Sequence, residues 1–407
     1  MSLAATLLAV CAVAELGLRV LVHWLRRTCP WLIVAADSRP DLDPAGVARF
    51  MEHGWDAQLG WVRKPGTAHD ETGEGGRTTR YHIDESGARR SPGFEGQTPV
   101  VLAYGDSYTF ARQVNDDEAW PHLLGVALGG RVENRGVGNY GLDQALLRLE
   151  REYDQHPAPV VVMGVVPETI CRVLSVWKHY SEYGNLFAFK PRFRLEGGRL
   201  DVLPNPVPRS EDFRDISPIL PRLMADDYFY DRKFRQDQLR FPYLWHLWRS
   251  RHRNVPLIGA AVADRLAGGG QRAFCRVMDR NIKMAADLYA DPQALDLMEA
   301  LTARFATFCR ERGAQPVLAM FPQLYDLRHI GAAGTFYQGF LDRVRPLVTV
   351  VDFGPVFVGA SEQACYTDDR FGGHFSARGN RMVAETLAPI LRSLPVSRGV
   401  HLRSDVS

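Results

Sequence analysis

A serine stands at 107 in Gly105-Asp106-Ser107-Tyr108, and a histidine at 374 opens His374-Phe375-Ser376-Ala377-Arg378-Gly379-Asn380, with Asp368 and Asp369 shortly before it. A serine hydroxyl becomes a nucleophile when an imidazole takes its proton, and the imidazole works better when a carboxylate orients it. Together the two segments hold the parts for acyl transfer through a serine ester. Each alone has a plainer reading: Asp106 and Ser107 as a helix cap, His374 as a loop histidine. Their co-occurrence favours chemistry. Ser107 at the start of a helix offers an N–H to an oxyanion as well as a hydroxyl to a carbonyl. Asp369 is the first choice to orient His374 and Asp368 the second, because the Gly372-Gly373 pair lets the chain fold back on the imidazole. Glu168 comes next.

The elements that must hold these residues are legible as alternating patterns. The run 99–104 (PVVLAY), ended by Gly105, reads as a buried parallel strand, and DDEAWPHLLGVAL after it has helical spacing. Strands at 132–134, 159–166, 316–321 and 348–353 alternate with helices at 144–153, 295–312, 336–344 and 376–394. This predicts a three-layer α/β/α sandwich with a mostly parallel sheet. In such a sheet, Ser107 lies where a strand turns into a helix and faces the crevice at the carboxyl ends of the strands.

On these residues the chain resembles the SGNH, or GDSL-type, esterase and acyl-hydrolase superfamily over about 99–170 and 295–394. The resemblance implies a flavodoxin-like fold, Ser107 as nucleophile and oxyanion donor, and His374 as base. Asn134-Arg135-Gly136-Val137-Gly138-Asn139-Tyr140-Gly141 is similar to the family's second block, in which a loop N–H binds the oxyanion; Gly138 and Asn139 compete for that place. Leu59-Gly60-Trp61, Lys64-Pro65-Gly66 and Tyr140-Gly141-Leu142-Asp143-Gln144 resemble a bacterial membrane-associated branch. Two blocks depart from the pattern. Where the family supplies an Asn after the third strand, this chain reads Val166-Pro167-Glu168-Thr169-Ile170, so that Thr169 is the substitute donor and Glu168 an opposing charge. Where the family places Asp three residues before the His, position 371 is Phe.

Residues 37–98 are rich in Asp, Gly, Arg and Pro, with short extended patches at 60–62 and 79–83, and read as an irregular collar. Between about 170 and 292 the alternation stops, and an aromatic- and arginine-rich insertion is expected to cover the carboxyl edge of the sheet. Its aromatics suit sugar stacking, a lipid interface or the insertion's own core. Residues 2–25 form an apolar stretch about 36 Å long as a helix, enough to cross a bilayer. Glu15 and Arg19 oppose a span, and their spacing on one helical face allows them to pair. An anchor over 1–27 is favoured over a cleaved signal peptide ending at Ala12-Val13-Ala14 or a helix docked on the body. Arg26 and Arg27 would leave the body cytoplasmic by the positive-inside rule, with the side left open.

The division expected is therefore an anchor (1–27), a collar (28–98), a catalytic domain (99–169 and 293–396), an insertion or lid (170–292) and a disordered tail (397–407). The 407 residues carry 49 Lys and Arg against 47 Asp and Glu, a net charge of +2 that gives no reason to expect nucleic acid. The six cysteines lack any metal-ligand spacing and suggest no disulfide framework. No phosphate-binding glycine loop occurs, so neither cofactor nor metal is expected. The function expected is a serine esterase or acyl transferase acting on an O-acylated glycan or related envelope molecule. The alternative is a weakly active or inactive relative that binds a saccharide or a partner in a polysaccharide assembly system.

Overall fold

The computed structural model describes residues 2–73, 76–330, 334–360, 362–367 and 373–395; Asp368, Asp369 and the expected tail lie outside these. Apolar runs too short for helices become β1 (Pro99–Gly105), and then α1 (Ser107–Phe110), α2 (Trp120–Leu128), β2 (Arg131–Gly136), α3 (Leu142–Glu152) and β3 (Val160–Val165) follow. The chain continues through α4 (Thr169–Val173), α5 (Pro292–Glu311), β4 (Gln315–Met320), α6 (Gln338–Val344), β5 (Thr349–Asp352) and α7 (Ala377–Arg392). The strands lie in the order β5-β4-β3-β1-β2 and every neighbouring pair is parallel. This is the flavodoxin-like doubly wound order, and the fold is the α/β/α sandwich expected.

Both faces of the sheet are covered, which is why its strands read as nearly continuous apolar runs. Every residue of β3 is buried. On one side α2 packs with α7; on the other α3 packs with α5, and α5 with α6. In α3 the buried Leu142, Ala145, Leu146 and Leu149 recur at helical spacing. Asp291 caps α5 by accepting from the amides of Gln293 and Ala294, and Ser376 caps α7 by accepting from Gly379.

Beneath α1 the sheet has a floor of glycine. Gly105, Gly136 and Gly164 stand side by side in register on β1, β2 and just within β3. A Cβ on Gly105 would lie 1.9 Å from the Gly164 carbonyl oxygen, one on Gly136 would lie 2.2 Å from the Phe110 nitrogen, and one on Gly164 would lie 2.3 Å from Thr109 Oγ1. The absence of side chains lets α1 settle directly on the strand ends, where Thr109 Oγ1 donates to the Gly164 carbonyl at 2.9 Å.

The chain separates into two compact units. The sheet unit comprises Glu52–Val173, Pro191–Asn205 and Ile282–Ser407, and the other comprises Met1–Met51, Leu174–Lys190 and Pro206–Asn281. The second unit therefore joins the N-terminal helix Leu3–Leu25 to most of the expected insertion. Its core gathers Val22, Leu25, Cys29 and Leu32 with Leu239, Tyr243, Leu257 and Ala261. The expected pairing of Glu15 with Arg19 does not form. Glu15 instead accepts from the backbone N–H groups of Tyr243 and Leu244, which open the helix Tyr243–Arg249. Those N–H groups have no partner inside their own helix, and a carboxylate at the positive end of the helix supplies one. The insertion's aromatics divide accordingly: Trp177, Phe189, Phe229 and Phe234 are buried, while Phe241, Trp245 and Trp248 are exposed.

Candidate active site

Ser107 and His374, 267 positions apart, meet at 2.8 Å between Oγ and Nε2. Ser107 begins α1 at the carboxyl end of β1, beside β3, where the winding direction of the sheet changes and an open α/β sheet forms its crevice. It is partly exposed and His374 is buried. Asp106 does what the cap reading of this motif requires, since its Oδ1 accepts from the Tyr108 amide at 2.8 Å. Its Oδ2 accepts from the Val166 amide and from Arg172 Nη1 at 3.1 and 3.2 Å. Burial raises the Asp106 carboxyl above the usual carboxylate range, against the opposing pull of Arg172. The cap and the serine that meets His374 are thus adjacent residues.

The histidine loop is fixed from both ends. Tyr366 and Phe375 bridge in antiparallel fashion, and the Thr367 amide donates to the His374 carbonyl at 2.7 Å. Gly373, with φ of +69°, makes the turn into His374 in a conformation that disfavours other residues. Tyr108 ties this loop to the turn that bears Ser107. Its hydroxyl donates to the Gly373 carbonyl at 2.9 Å, and its ring lies 4.8 Å from the imidazole, centroid to centroid. The segment after α1 is held by buried Arg89, which donates to the carbonyls of Phe110, Ala111 and Val114 and pairs with Asp116 at 2.9 Å. Arg89 therefore clamps the turn that follows Ser107.

Residues 137–140 form a tight turn in which the Tyr140 amide donates to Val137 and Asn139 takes φ of +67°. A positive φ at the third position is the mark of a type II turn, which Asn tolerates. The two motifs that resemble the membrane-associated branch interlock around it. Trp61 Nε1 donates to the Gly138 carbonyl at 2.9 Å, Tyr140 donates to the Trp61 carbonyl, and Gln144 Nε2 donates to the Leu59 carbonyl at 2.7 Å. Gly138 is half-buried and Asn139 is exposed.

Thr169 is fully buried, and its hydroxyl oxygen accepts from the Leu142 amide at 2.9 Å, at the amino end of α3. This position gives the substitute donor a task in the fold. Glu168 is balanced by Arg172, whose Nη2 lies 2.8 Å from Oε2, while Gln323 Nε2 donates to the same oxygen at 3.4 Å. Gln323 also donates its amide to Asp326, which is fully buried from charge-stabilising water and whose carboxyl is pushed up to about 8. A buried polar chain, Asp106–Arg172–Glu168–Gln323–Asp326, thus backs the site. Sequence reading missed Arg172, Tyr108 and Arg89; the only local signal was the four-residue spacing of Glu168 and Arg172 on one helical face. Among the described residues no group of His, Cys, Asp and Glu has the arrangement of a metal site.

No family profile matches the chain, and no curated protein does. Solved structures similar to it include a protein described as lipolytic and of the G-D-S-L family from Desulfitobacterium hafniense DCB-2, at 12% identity, 71% coverage of this chain, 98% of that one and a TM-score of 0.32. Another is the acetyl xylan esterase AlAXEase, at 12% identity, covering 72% of this chain and 98% of that one with a TM-score of 0.36. A third is the psychrotrophic esterase EstA from a Pseudoalteromonas species, at 11% identity, 72% and 95% coverage and a TM-score of 0.31.

Proposed function

We propose that this chain is a serine hydrolase or acyl transferase of the SGNH type that works through an ester on Ser107. The observation that carries the reading is the 2.8 Å contact between Ser107 Oγ and His374 Nε2 at the crevice of the sheet. His374 Nε2 takes the proton as Oγ attacks an ester carbonyl, and returns it to the departing alcohol when the carbon–oxygen bond breaks. The N–H of Ser107 and an N–H of the Gly138–Asn139 turn hold the oxyanion. Water then releases the acid, or a second hydroxyl takes the acyl group. Asp369, or Asp368, orients the imidazole from the loop that Thr367 and His374 close. An O-acylated glycan or related envelope molecule is the substrate class that fits an enzyme held at a membrane.

The N-terminal helix Leu3–Leu25 is long and apolar enough to cross a bilayer. From Glu15 onward one face of it packs within its own unit through Leu18, Val22 and Leu25, while Leu16 and Val20 stay exposed, and Glu15 is bound to the helix Tyr243–Arg249. An anchor that spans must therefore take the helix Tyr243–Arg249 with it, and the exposed Trp245 and Trp248, stacked at 5.1 Å, suit the interface.

The engagement of Thr169 with α3 favours a second reading, in which the protein lacks a complete oxyanion hole and binds a saccharide or partner without turnover. A fluorophosphonate probe separates the two. Labelling at Ser107, lost in Ser107→Ala together with cleavage of aryl acetates, is the expected result; folded protein that stays unlabelled supports the binder.

A further inference from the structure

Buried arginines in the sheet unit have carboxylate partners. Arg89 pairs with Asp116 at 2.9 Å, Arg135 with Glu133 at 2.6 Å, Arg148 with Glu152 at 3.0 Å and Arg172 with Glu168 at 2.8 Å. Arg63 is half-buried and has none among the described residues. Its guanidinium lies 4.5 Å from the centre of the Phe110 ring and 5.4 Å from that of Tyr81, and Nη1 donates to the Tyr81 hydroxyl at 3.0 Å. Nε is buried without a hydrogen-bond acceptor, and among the described residues no carboxylate lies within ion-pair distance of the group. Nearby Glu71 is committed to Arg112, 2.7 Å from its Nε. Desolvation pulls the guanidinium's pKa down.

The position of this charge gives it meaning. Phe110, under the guanidinium, belongs to the same helical turn as Ser107. On the other side, a Cβ placed on Gly138 would be 3.7 Å from Nη2, so the guanidinium borders the turn assigned to the oxyanion. Trp61, two residues before Arg63, holds that turn through the Gly138 carbonyl. With Nε buried and unpaired and no carboxylate beside it, the guanidinium gains when an anionic acceptor arrives.

We propose that Arg63 forms an anion subsite beside the Gly138–Asn139 turn, which takes a carboxylate or phosphate group carried on the ester substrate. The guanidinium fork suits either oxyanion and supplies the charge-assisted hydrogen bonds that its own protein leaves unmade. Arg63 thereby selects negatively charged esters over neutral ones of similar size. The subsite rests on the assignment of Ser107 as the acyl-accepting residue, and its test separates the two.

Three acetate esters serve as probes: 4-acetoxybutyrate, 2-acetoxyethyl phosphate and neutral butyl acetate. Calorimetric titration of Ser107→Ala reads binding without turnover. The expected result is that at least one anionic ester binds about tenfold or more tightly than butyl acetate, and which of the two does so identifies carboxylate or phosphate as the natural group. The preference should vanish in Ser107→Ala/Arg63→Gln, and fall about threefold with Arg63→Lys, which keeps the charge but loses the fork. Equal binding of all three esters to Ser107→Ala overturns the subsite, as does a preference that persists in Arg63→Gln. If that variant does not fold, an unchanged preference in Arg63→Lys counts equally against it. In the chain with Ser107 intact, absence of hydrolysis alongside the anion preference defeats the esterase assignment alone, and hydrolysis without preference defeats the subsite alone.

Discussion

Tyr108 follows Ser107 in sequence yet holds the loop of His374. Its hydroxyl, donated to the Gly373 carbonyl, ties the turn bearing Ser107 directly to the loop bearing His374. Tyr108→Phe keeps the ring against the imidazole and removes the hydroxyl's bond to Gly373. The loss of about 1 kcal/mol of orientation should lower kcat about fivefold and leave KM nearly unchanged. Steady-state kinetics on an aryl acetate checks this, and a matching rise in KM would place the hydroxyl in substrate binding instead. Ser107 and His374 were readable from sequence because each sits in a short motif whose chemistry is local. Tyr108, Arg172 and Arg63 were not, since what each does depends on a partner or a vacancy created by folding. Tyr108 and Gly373 are 265 positions apart, and no periodicity bridges such a distance.

At the scale of elements, the strands were legible because a sheet covered on both faces leaves apolar runs with little interruption, as in β3. The insertion was opaque for the opposite reason. Its helix Arg251–Leu266 contains Pro256, and its apolar positions answer to a partner, Leu3–Leu25, that lies far away in sequence. The loop after β4 also carries a buried ionisable group that patterning does not reveal. Asp326 is held near a pKa of about 8, whereas an unfolded aspartate titrates near about 3.9. The folded state therefore binds this proton more tightly, so its contribution to stability is complete below about pH 4 and is lost as the pH rises through about 8. Asp326→Asn can still accept from the Gln323 amide and does not titrate. The melting temperature of the variant minus that of the parent should grow steadily from about pH 5 to about pH 9. A difference that stays constant across this range would mean that the carboxyl ionises in place without penalty.

For the molecule as a whole, the N-terminal helix is the element whose role extends beyond the fold. Glu15 reads from sequence as an obstacle to a membrane span, and in the structure it is the cap of another helix. The chain should sediment with membranes and require detergent for release, and replacement of Trp245 and Trp248 by Gln should make that attachment easier to extract with alkaline carbonate. Recovery of the intact chain in the soluble fraction after gentle lysis would defeat the anchor. A mature N-terminus at Glu15, read by mass spectrometry, would instead establish cleavage after Ala14, and would leave the residues that pack from Glu15 to Leu25 in place.

The glycine floor under α1 also constrains how this protein can drift over generations. Every amino acid reachable from a glycine codon by one base change carries a Cβ, and at Gly105, Gly136 and Gly164 that atom would land on backbone or on Thr109 and Phe321. No single step leads away from any of the three without lifting the turn. Ser107 is under no such packing restraint, since it is partly exposed at the top of that turn. In a lineage that stopped using the serine, position 107 would be free to wander while the three glycines beneath it stayed. The glycines record the architecture, and only the residue above them records whether the chemistry is still in use.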